Sequence, residues 1–167
     1  MKQVIFAVLL FSCLSCHLRK DPAPIKTGLE GQPIASFTGL LTDSTTRINT
    51  ADIPTGKPVI LLFFSPYCPF CRAEVTDLVK NIAALRDARL YLFTNYPLKS
   101  LKQFSVAYHL EKYTNIVAAQ DYNNFLQSHY NPVAVPFTVV FDREKKLKNA
   151  FVGRMSAEQI ERVAGLN

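Results

Sequence analysis

The sequence of 167 residues lacks several features that would place it in other classes of protein. It contains no internal repeat and no low-complexity region, and its hydrophobic content of 49% fits one globular domain of ordinary size. The formal net charge is +6, but Lys and Arg are scattered, and the densest cluster, Arg143 to Lys146, has the character of a hairpin turn. This distribution favours a solvated surface over a nucleic-acid interface.

Long apolar runs and cysteines are also scarce. After the first sixteen residues, no stretch approaches the length needed to cross a bilayer. Of the four cysteines, Cys68 and Cys71 lie in the middle of the chain, whereas Cys13 and Cys16 lie near its start. Because the early pair falls in a segment of different character, a zinc site built from four sulfurs is disfavoured.

Residues 1–16 have the composition of a targeting segment, with Lys2 before an apolar core from Val4 to Phe11 and the pair Ser-Cys occurring twice afterwards. The segment resembles a bacterial lipoprotein signal, in which the cysteine after the cleavage point is lipidated. Cys16 gives a leader of more usual length, whereas Cys13 fits the usual Leu-x-small-Cys pattern better. We prefer Cys16 and keep Cys13 as the alternative.

Two other interpretations of this segment remain open. Residues 13–17, Cys-Leu-Ser-Cys-His, match the C-x-x-C-H pattern of covalent haem attachment, but they abut the apolar core and no haem-enclosing domain follows. The segment could also be an uncleaved membrane anchor. A lipid anchor and an uncleaved membrane anchor would both place the domain outside the cytoplasm, where disulfide chemistry is sustained. Residues 17–28 are polar, contain two prolines and are predicted to be a flexible tether to a domain at residues 29–167.

The most informative stretch is residues 59–71, an apolar run that ends at two cysteines. Residues 59–64 are all apolar, which predicts a strand buried on both faces. Ser65-Pro66 breaks the run, and the apolar residues that follow have helical spacing. We therefore expect a helix from about Cys68 to near Arg86, whose apolar face comprises Val75, Leu78, Val79, Ile82 and Leu85.

This placement predicts distinct roles for the two sulfurs. The unpaired amides and the positive dipole at a helix N-terminus stabilise an anion, so Cys68 is expected to be the attacking thiolate. Cys71 returns to the same face one turn later and can attack a mixed disulfide formed at Cys68.

The remaining elements predict an α/β fold. Residues 29–53 suggest a small hairpin, and further strands are predicted at residues 89–94, 116–119, 137–141 and 147–152. Three more helices are expected. The first has Leu101, Phe104 and Tyr108 on its apolar face, and the second has Tyr122, Phe125, Leu126 and His129 after a cap at Asp121. The last has Ile160 and Val163 after a capping box from Ser156 to Gln159. This order indicates a sandwich around a mixed sheet.

Residues 29–165 resemble the thioredoxin superfamily, and specifically its membrane-anchored, extracytoplasmic thiol-disulfide oxidoreductases of the TlpA and ResA type. The resemblance is carried by the strand entering residues 67–74, by Val135-Pro136 before a strand and by Gly153 at the end of a hairpin. It implies a thioredoxin-like three-layer sandwich, a mixed central sheet flanked by helices, with an N-terminal β-hairpin extension.

The same resemblance implies roles for several residues. Pro136 would follow a cis peptide bond beside the dithiol, and the backbone there, with Val135, Tyr67, Pro69 and Phe70, would contact the substrate. Glu74 matches a glutamate implied to handle protons at the buried thiol. The alternative for Glu74 is an acidic residue favoured only by the helix dipole.

The sequence departs from the family pattern at three places. Tyr67 stands where most relatives carry tryptophan, Leu62 replaces the buried acid of thioredoxin, and Thr76 stands where the group often has proline. The dipeptide Pro69-Phe70 resembles that of glutaredoxins and oxidising Dsb proteins, which leaves the direction of electron flow open.

We therefore predict an extracytoplasmic oxidoreductase that exchanges a Cys68–Cys71 disulfide with protein dithiols, with no other cofactor and no metal. Its expected partners are protein thiols or disulfides and a membrane electron donor or acceptor; it would be a lipid-anchored monomer that binds no nucleic acid. One alternative is a Cu(I)-binding metallochaperone, because soft thiolates favour that ion. Another is a thiol peroxidase, although residues 65–68 lack the threonine of that family's Pro-x-x-x-Thr-x-x-Cys site. His109 and His129 are expected to pack or cap rather than bind a metal.

Overall fold

A computed structural model describes residues 21–166. Its strands are β1 Thr38–Leu41, β2 Arg47–Asn49, β3 Val59–Phe63, β4 Arg89–Thr94, β5 Ile116–Gln120, β6 Phe137–Phe141 and β7 Leu147–Val152. Its helices are α1 Pro69–Lys80, α2 Leu98–Ala107, α3 Phe125–Tyr130 and α4 Ala157–Ala164, with single 3₁₀ turns at Thr50–Asp52 and Leu110–Lys112. The strands form one mixed sheet in the order β2-β1-β5-β4-β3-β6-β7, and the predicted hairpin extension is its β1–β2 edge.

The predicted buried strand is confirmed as β3, all of whose residues are buried. β3 runs parallel to β4 and antiparallel to β6, so it has a hydrogen-bonded neighbour on each side. Its residues alternate between two apolar layers: Ile60 and Leu62 face the layer that contains α1, α2 and α4, whereas Val59, Leu61 and Phe63 face the layer that contains α3 and the N-terminal segment. The three-layer arrangement predicted from the sequence is therefore confirmed.

The first helix is shorter than predicted. It ends at Lys80 rather than near Arg86, because Asn81 leaves the helical conformation and its side-chain amide donates hydrogen bonds to the backbone and side chain of Asp77. Such local hydrogen bonds compete with helix continuation. Leu85 is nonetheless fully buried, because tight turns after Asn81 carry it into the core.

The third helix begins later than predicted. The carboxylate of Asp121 accepts hydrogen bonds from the backbone amides of Phe125 and Leu126, so it caps the first turn as predicted, although the N-cap position is Asn124. Tyr122, however, lies in the turn before α3 and is exposed rather than on the apolar face of the helix. The reason is that Asn124 adopts a left-handed conformation with φ of 55°, which delays the helix start.

Only half of the predicted capping box forms at α4. The hydroxyl of Ser156 accepts a hydrogen bond from the backbone amide of Gln159 at 3.1 Å. The side chain of Gln159 does not return to Ser156; its amide donates instead to the carbonyl of Pro22 at 2.8 Å. The hydrogen bond from Gln159 to Pro22, which is distant in the sequence, therefore replaces the local hydrogen bond to Ser156.

Residues 21–28, the described part of the predicted tether, lie against the domain. Ile25 forms a β-bridge with Ala150 of β7, and Asp21 forms an ion pair with Arg162 of α4 at 3.1 Å. The domain boundary at residue 29 stays a prediction, and these contacts argue for placing it before Asp21. The predicted targeting segment, with Cys13, Cys16 and His17, lies outside the described residues. Between residues 21 and 166, no helix has both the length and the apolar character needed to span a membrane.

We predict that Gly39→Ala destabilises the fold, because Gly39 lies in β1 where the sheet leaves no room for a side chain. A β-carbon there would lie 2.7 Å from Cε1 of Phe93 and 2.9 Å from Cβ of Ala119. Overpacking of this kind costs about 1–3 kcal/mol, which denaturant unfolding would measure. In the double variant Gly39→Ala/Ala119→Gly the loss should be smaller than the sum of the two single losses. Wild-type stability in Gly39→Ala would contradict the packing described here.

Candidate active site

The first cysteine lies at the point where β3 leads into α1. After β3 the chain turns through residues 64–67, and Cys68 is the N-cap of α1 with an extended backbone. The amide of Cys68 donates to the carbonyl of Ser65 at 3.1 Å, and the carbonyl of Cys68 accepts the first helical hydrogen bond, from Arg72. Pro69 occupies the first turn, where its missing N–H costs nothing. The helix start predicted from the sequence is confirmed.

The proline loop lies directly opposite this cysteine. Because β3 and β6 are antiparallel and Phe63 pairs with Phe137, the residues after β3 and those before β6 meet at the same edge of the sheet. The thiol of Cys68 donates a weak hydrogen bond to the carbonyl of Val135, with 3.7 Å between sulfur and oxygen. The Val135–Pro136 peptide bond is cis.

The two sulfurs occupy different environments. Cys68 is partly exposed, whereas Cys71 is fully buried, and neither forms a disulfide. Burial raises the pKa of the Cys71 thiol far above its usual range; the neighbouring Cys68 and Glu74 act in the same direction, while the backbone of Ser65 acts against them. Cys71 is therefore a neutral thiol at physiological pH.

Glu74 is the buried carboxyl group next to this thiol. It lies on α1 beyond the first turn and has no exposed surface, so a favourable contact with the helix dipole does not account for it. Its Oε1 accepts a hydrogen bond from the hydroxyl of Thr138, and its Oε2 accepts one from the amide of Met155, both at 3.1 Å. Burial raises the pKa of Glu74 to about 8 despite these two hydrogen bonds, which lower it, and the charge of Asp77 raises it further. Glu74 is close enough to Cys71 for its charge to raise the pKa of that thiol.

Aromatic side chains form the rim of the site. Tyr67 is 62% exposed, and its hydroxyl lies 2.8 Å from that of Ser100 at the start of α2. Its ring packs edge to face on Tyr96, with the ring centroids 5.4 Å apart. Phe70, between the cysteines, is 60% exposed. An exposed aromatic side chain therefore precedes Cys68, and it is a tyrosine.

A groove lies between the proline loop next to Cys68 and the end of β7. It has a volume of about 470 Å³ and is lined by Phe70, by the proline loop, by the end of β7 with the two residues after it, and by Pro22 of the N-terminal segment. Gly153 links the chain after β7 to the proline loop, because its amide donates to the carbonyl of Pro136 at 2.9 Å. Of the residues predicted to contact substrate, Phe70 and Val135 line this groove, whereas Tyr67 lies on the α2 side of Cys68 and Pro69 begins α1.

Sequence reasoning missed two residues of this region. Thr138 is the polar residue inside the apolar run of β6, and that anomaly could have indicated a buried hydrogen-bond partner. Arg154 lines the groove one residue after Gly153, and no pattern in the sequence pointed to it.

His129 has the packing role predicted for it, because its ring stacks on Phe125 with centroids 4.9 Å apart. His109 does not: its side chain is exposed and makes no capping hydrogen bond, although its backbone begins a 3₁₀ turn in a left-handed conformation. Within residues 21–166, no three His, Cys, Asp or Glu side chains are grouped closely enough to hold a metal ion.

A Cys-x-x-Cys pair at a helix N-terminus, next to a proline loop at the same end of a mixed sheet, defines a thioredoxin-like protein with a dithiol site. The chain belongs to the AhpC/TSA family, whose model matches residues 31–161.

Curated relatives and solved structures agree with this assignment. The chain is 30% identical over 116 residues to the soluble secreted antigen MPT53 of Mycobacterium tuberculosis, covering 66% of this chain and 64% of that protein. It is 35% identical over 71 residues to the thiol:disulfide interchange protein DsbE of Escherichia coli, covering 42% of this chain and 38% of the relative. The match therefore spans less than two thirds of each relative's length.

The crystal structure of a secreted Mycobacterium tuberculosis disulfide oxidoreductase homologous to Escherichia coli DsbE has the same fold. Its TM-score is 0.64 at 22% identity, and the match covers 78% of this chain and 96% of that one. At this level of identity the likeness establishes the fold alone.

We predict that Glu74→Gln removes a pH-dependent loss of stability. The pKa of Glu74 is raised from 4.5 to about 8 in the folded protein, so the folded state binds more protons than the unfolded state between these values. Stability therefore falls as pH rises from about 4.5 to 8 and changes no further above that range. At pH 9 the variant should be more stable than the wild type by on the order of 3 kcal/mol, and at pH 4 the two should agree.

Denaturant unfolding of the reduced protein at a series of pH values would measure this difference. The glutamine can keep both hydrogen bonds, since its oxygen can accept from Met155 and its amide can donate to Thr138. Glu158→Gln is the matched control, because Glu158 is exposed and should add no such pH dependence. Parallel stability curves for wild type and Glu74→Gln would show that Glu74 is not the titrating group.

Proposed function

We propose that this protein is a thiol-disulfide oxidoreductase that exchanges a Cys68–Cys71 disulfide with the dithiols and disulfides of other proteins. The single observation that carries the proposal is the asymmetry of the two cysteines: Cys68 is accessible at a helix N-terminus, and Cys71 is buried one turn further on. An exposed attacking sulfur followed by a protected resolving sulfur is the arrangement that exchange through a mixed disulfide requires. The name of the DsbE relative supports the same activity.

In the reducing direction the thiolate of Cys68 attacks one sulfur of a partner disulfide. The partner's S–S bond breaks, a mixed disulfide forms with Cys68, and the released sulfur takes up a proton. Cys71 then loses its proton and attacks Cys68, which forms the Cys68–Cys71 disulfide and releases the second partner sulfur. Two electrons pass from this protein to the partner, and the same steps in reverse oxidise a partner dithiol.

The first turn of α1 favours the first step. Its backbone amides have no partners within the helix, Cys68 is its N-cap, and no acidic residue occupies that turn. The carbonyl of Val135 approaches the sulfur from the opposite side. An extended partner segment lying along this loop would bring its own sulfur to Cys68.

Glu74 is the group we propose to move the proton of Cys71. A carboxyl group with a pKa of about 8 is present in both protonation states near neutrality, so it can accept the proton when Cys71 attacks and return it when the disulfide is reduced. Thr138 and Met155 hold the carboxyl group in place during this exchange.

We also propose that the protein works outside the cytoplasm as a lipid-anchored member of the TlpA and ResA type. The targeting segment in the sequence and the secreted character stated in the name of the MPT53 relative support this location. The proposed partners are thus extracytoplasmic proteins and a membrane electron donor or acceptor, and the proposed form is a monomer with no cofactor besides its own disulfide.

We predict that Cys68→Ser abolishes the reduction of protein disulfides by the purified full chain, because the attacking sulfur is lost. Cys71→Ser should still attack and should accumulate a mixed disulfide with the substrate, visible as a shifted band on a non-reducing gel. Turnover would be followed with a reductant in excess. Substituting Cys13 and Cys16 by serine together is the matched control and should leave turnover unchanged. Turnover by Cys68→Ser would refute the assigned roles.

The same preparations test the two alternatives. Peroxide consumption by the reduced protein without disulfide-exchange activity would indicate the thiol peroxidase. Stoichiometric Cu(I) in anaerobically purified protein, with both thiols protected from titration, would indicate the metallochaperone.

We predict that Cys16→Ser prevents lipidation in a bacterial host, whereas Cys13→Ser does not. Intact-mass spectrometry of the membrane fraction would detect the added acyl chains. Lipid retained in Cys16→Ser and absent in Cys13→Ser would move the site to Cys13.

A further inference from the structure

Three positively charged side chains lie on the segments around the dithiol. Arg72 follows Cys71 on α1, is exposed, and donates from Nε to the carbonyl of Pro66 at 3.0 Å, which holds it beside the turn that carries Cys68. Lys99 is exposed near the start of α2, next to the Ser100 that contacts Tyr67. Arg154 lines the groove together with Phe70 and Pro136.

The carboxyl groups of the described residues form no ion pair with these three cations. Glu74 and Asp121 are buried and accept hydrogen bonds from within the domain. Asp77 accepts from the amide of Ala157, and Asp21 pairs with Arg162. Among residues 21–166, Arg72, Lys99 and Arg154 take part in no ion pair. Each of these three side chains therefore carries its positive charge without a carboxylate at ion-pair distance.

Arg154 is the cation best placed to contact a bound chain. The groove that it lines is largely apolar and continues the surface beside Cys68, since Val135 both lines the groove and accepts the hydrogen bond from the Cys68 thiol. A chain lying there with its sulfur at Cys68 would set an apolar side chain against Phe70 and Pro136, and a neighbouring side chain against Arg154.

We propose that the partner of this dithiol is a protein segment with acidic residues close to its reactive cysteine, and that Arg154 contacts one of those carboxylates. This inference rests on the proposed function and names the substrate class of that site. The apolar surfaces supply contact without selecting a sequence, whereas the uncompensated cations favour an acidic segment over a basic one. Arg72 and Lys99 add to the same field and speed the encounter.

The test compares three disulfide-containing peptides that share one apolar segment and carry aspartate, glutamine or lysine at the positions flanking the cysteine. The rate constant for the first attack by reduced full-length protein is measured for each peptide at low and at high salt. The wild type should attack the aspartate peptide about 5- to 10-fold faster than the lysine peptide at low salt, and high salt should reduce the difference.

Arg154→Glu should abolish or invert this preference, and Arg154→Lys should retain most of it. The ratio of the aspartate rate to the glutamine rate is the quantity compared, because a general effect on Cys68 reactivity cancels in it. Arg154→Gln provides a second variant in case the glutamate does not fold. Arg47→Glu is the matched control: Arg47 is exposed on β2, at the far edge of the sheet, and the change in net charge is the same.

The outcomes separate this inference from the proposed function. Equal rates for the three peptides at low salt, or an unchanged ratio in Arg154→Glu, would overturn the acidic-partner inference and leave the oxidoreductase intact. Absence of attack on every peptide by the wild type would overturn the proposed function itself. A ratio of aspartate rate to glutamine rate that falls as much in Arg47→Glu as in Arg154→Glu would overturn the role of Arg154 in the acidic-partner inference, because net charge alone would then explain the preference.

Discussion

The antiparallel pairing of β3 with β6 is the constraint on which the site depends. β3 is buried on both faces and hydrogen-bonded on both sides, so a change in its register would have to break the backbone hydrogen bonds to both neighbouring strands. Because Phe63 pairs with Phe137, the turn to Cys68 and the loop ending at Pro136 lie together where β3 ends and β6 begins. The contact between Cys68 and Val135, 67 residues apart in the chain, follows from that register.

Much of this arrangement could be predicted from the sequence, because its signals are local. The apolar run of β3, the break at Ser65-Pro66 and the spacing after Cys71 are sufficient to place a dithiol at a helix start. The errors occurred where a tertiary partner or one residue's conformation decided the outcome. Gln159 binds Pro22 rather than completing a capping box, and Asn81 ends α1 although the apolar spacing continues to Leu85.

The surroundings of Glu74 were the least predictable part of the site. Its position one turn after Cys71 is visible in the sequence, and its burial follows from the apolar face of α1. Its partners are not visible, because Thr138 and Met155 lie 64 and 81 residues away and are brought together by β6 and by the chain after β7. A carboxyl group held by two separate parts of the fold is costly to bury, and a structural role alone would be served as well by an apolar side chain.

The charges around the site act on different parts of a bound chain. Cys68 is the N-cap of α1, so the positive end of the helix dipole bears on the reacting residue itself, whereas Arg154 lines the groove and bears on the residues that flank the partner's sulfur. The first effect is the same for every partner and cannot discriminate among them. Apolar contacts with Phe70 discriminate only weakly, since many side chains fill such a surface. Among the described residues near the site, uncompensated side-chain charge is therefore the feature by which one partner segment can be preferred over another.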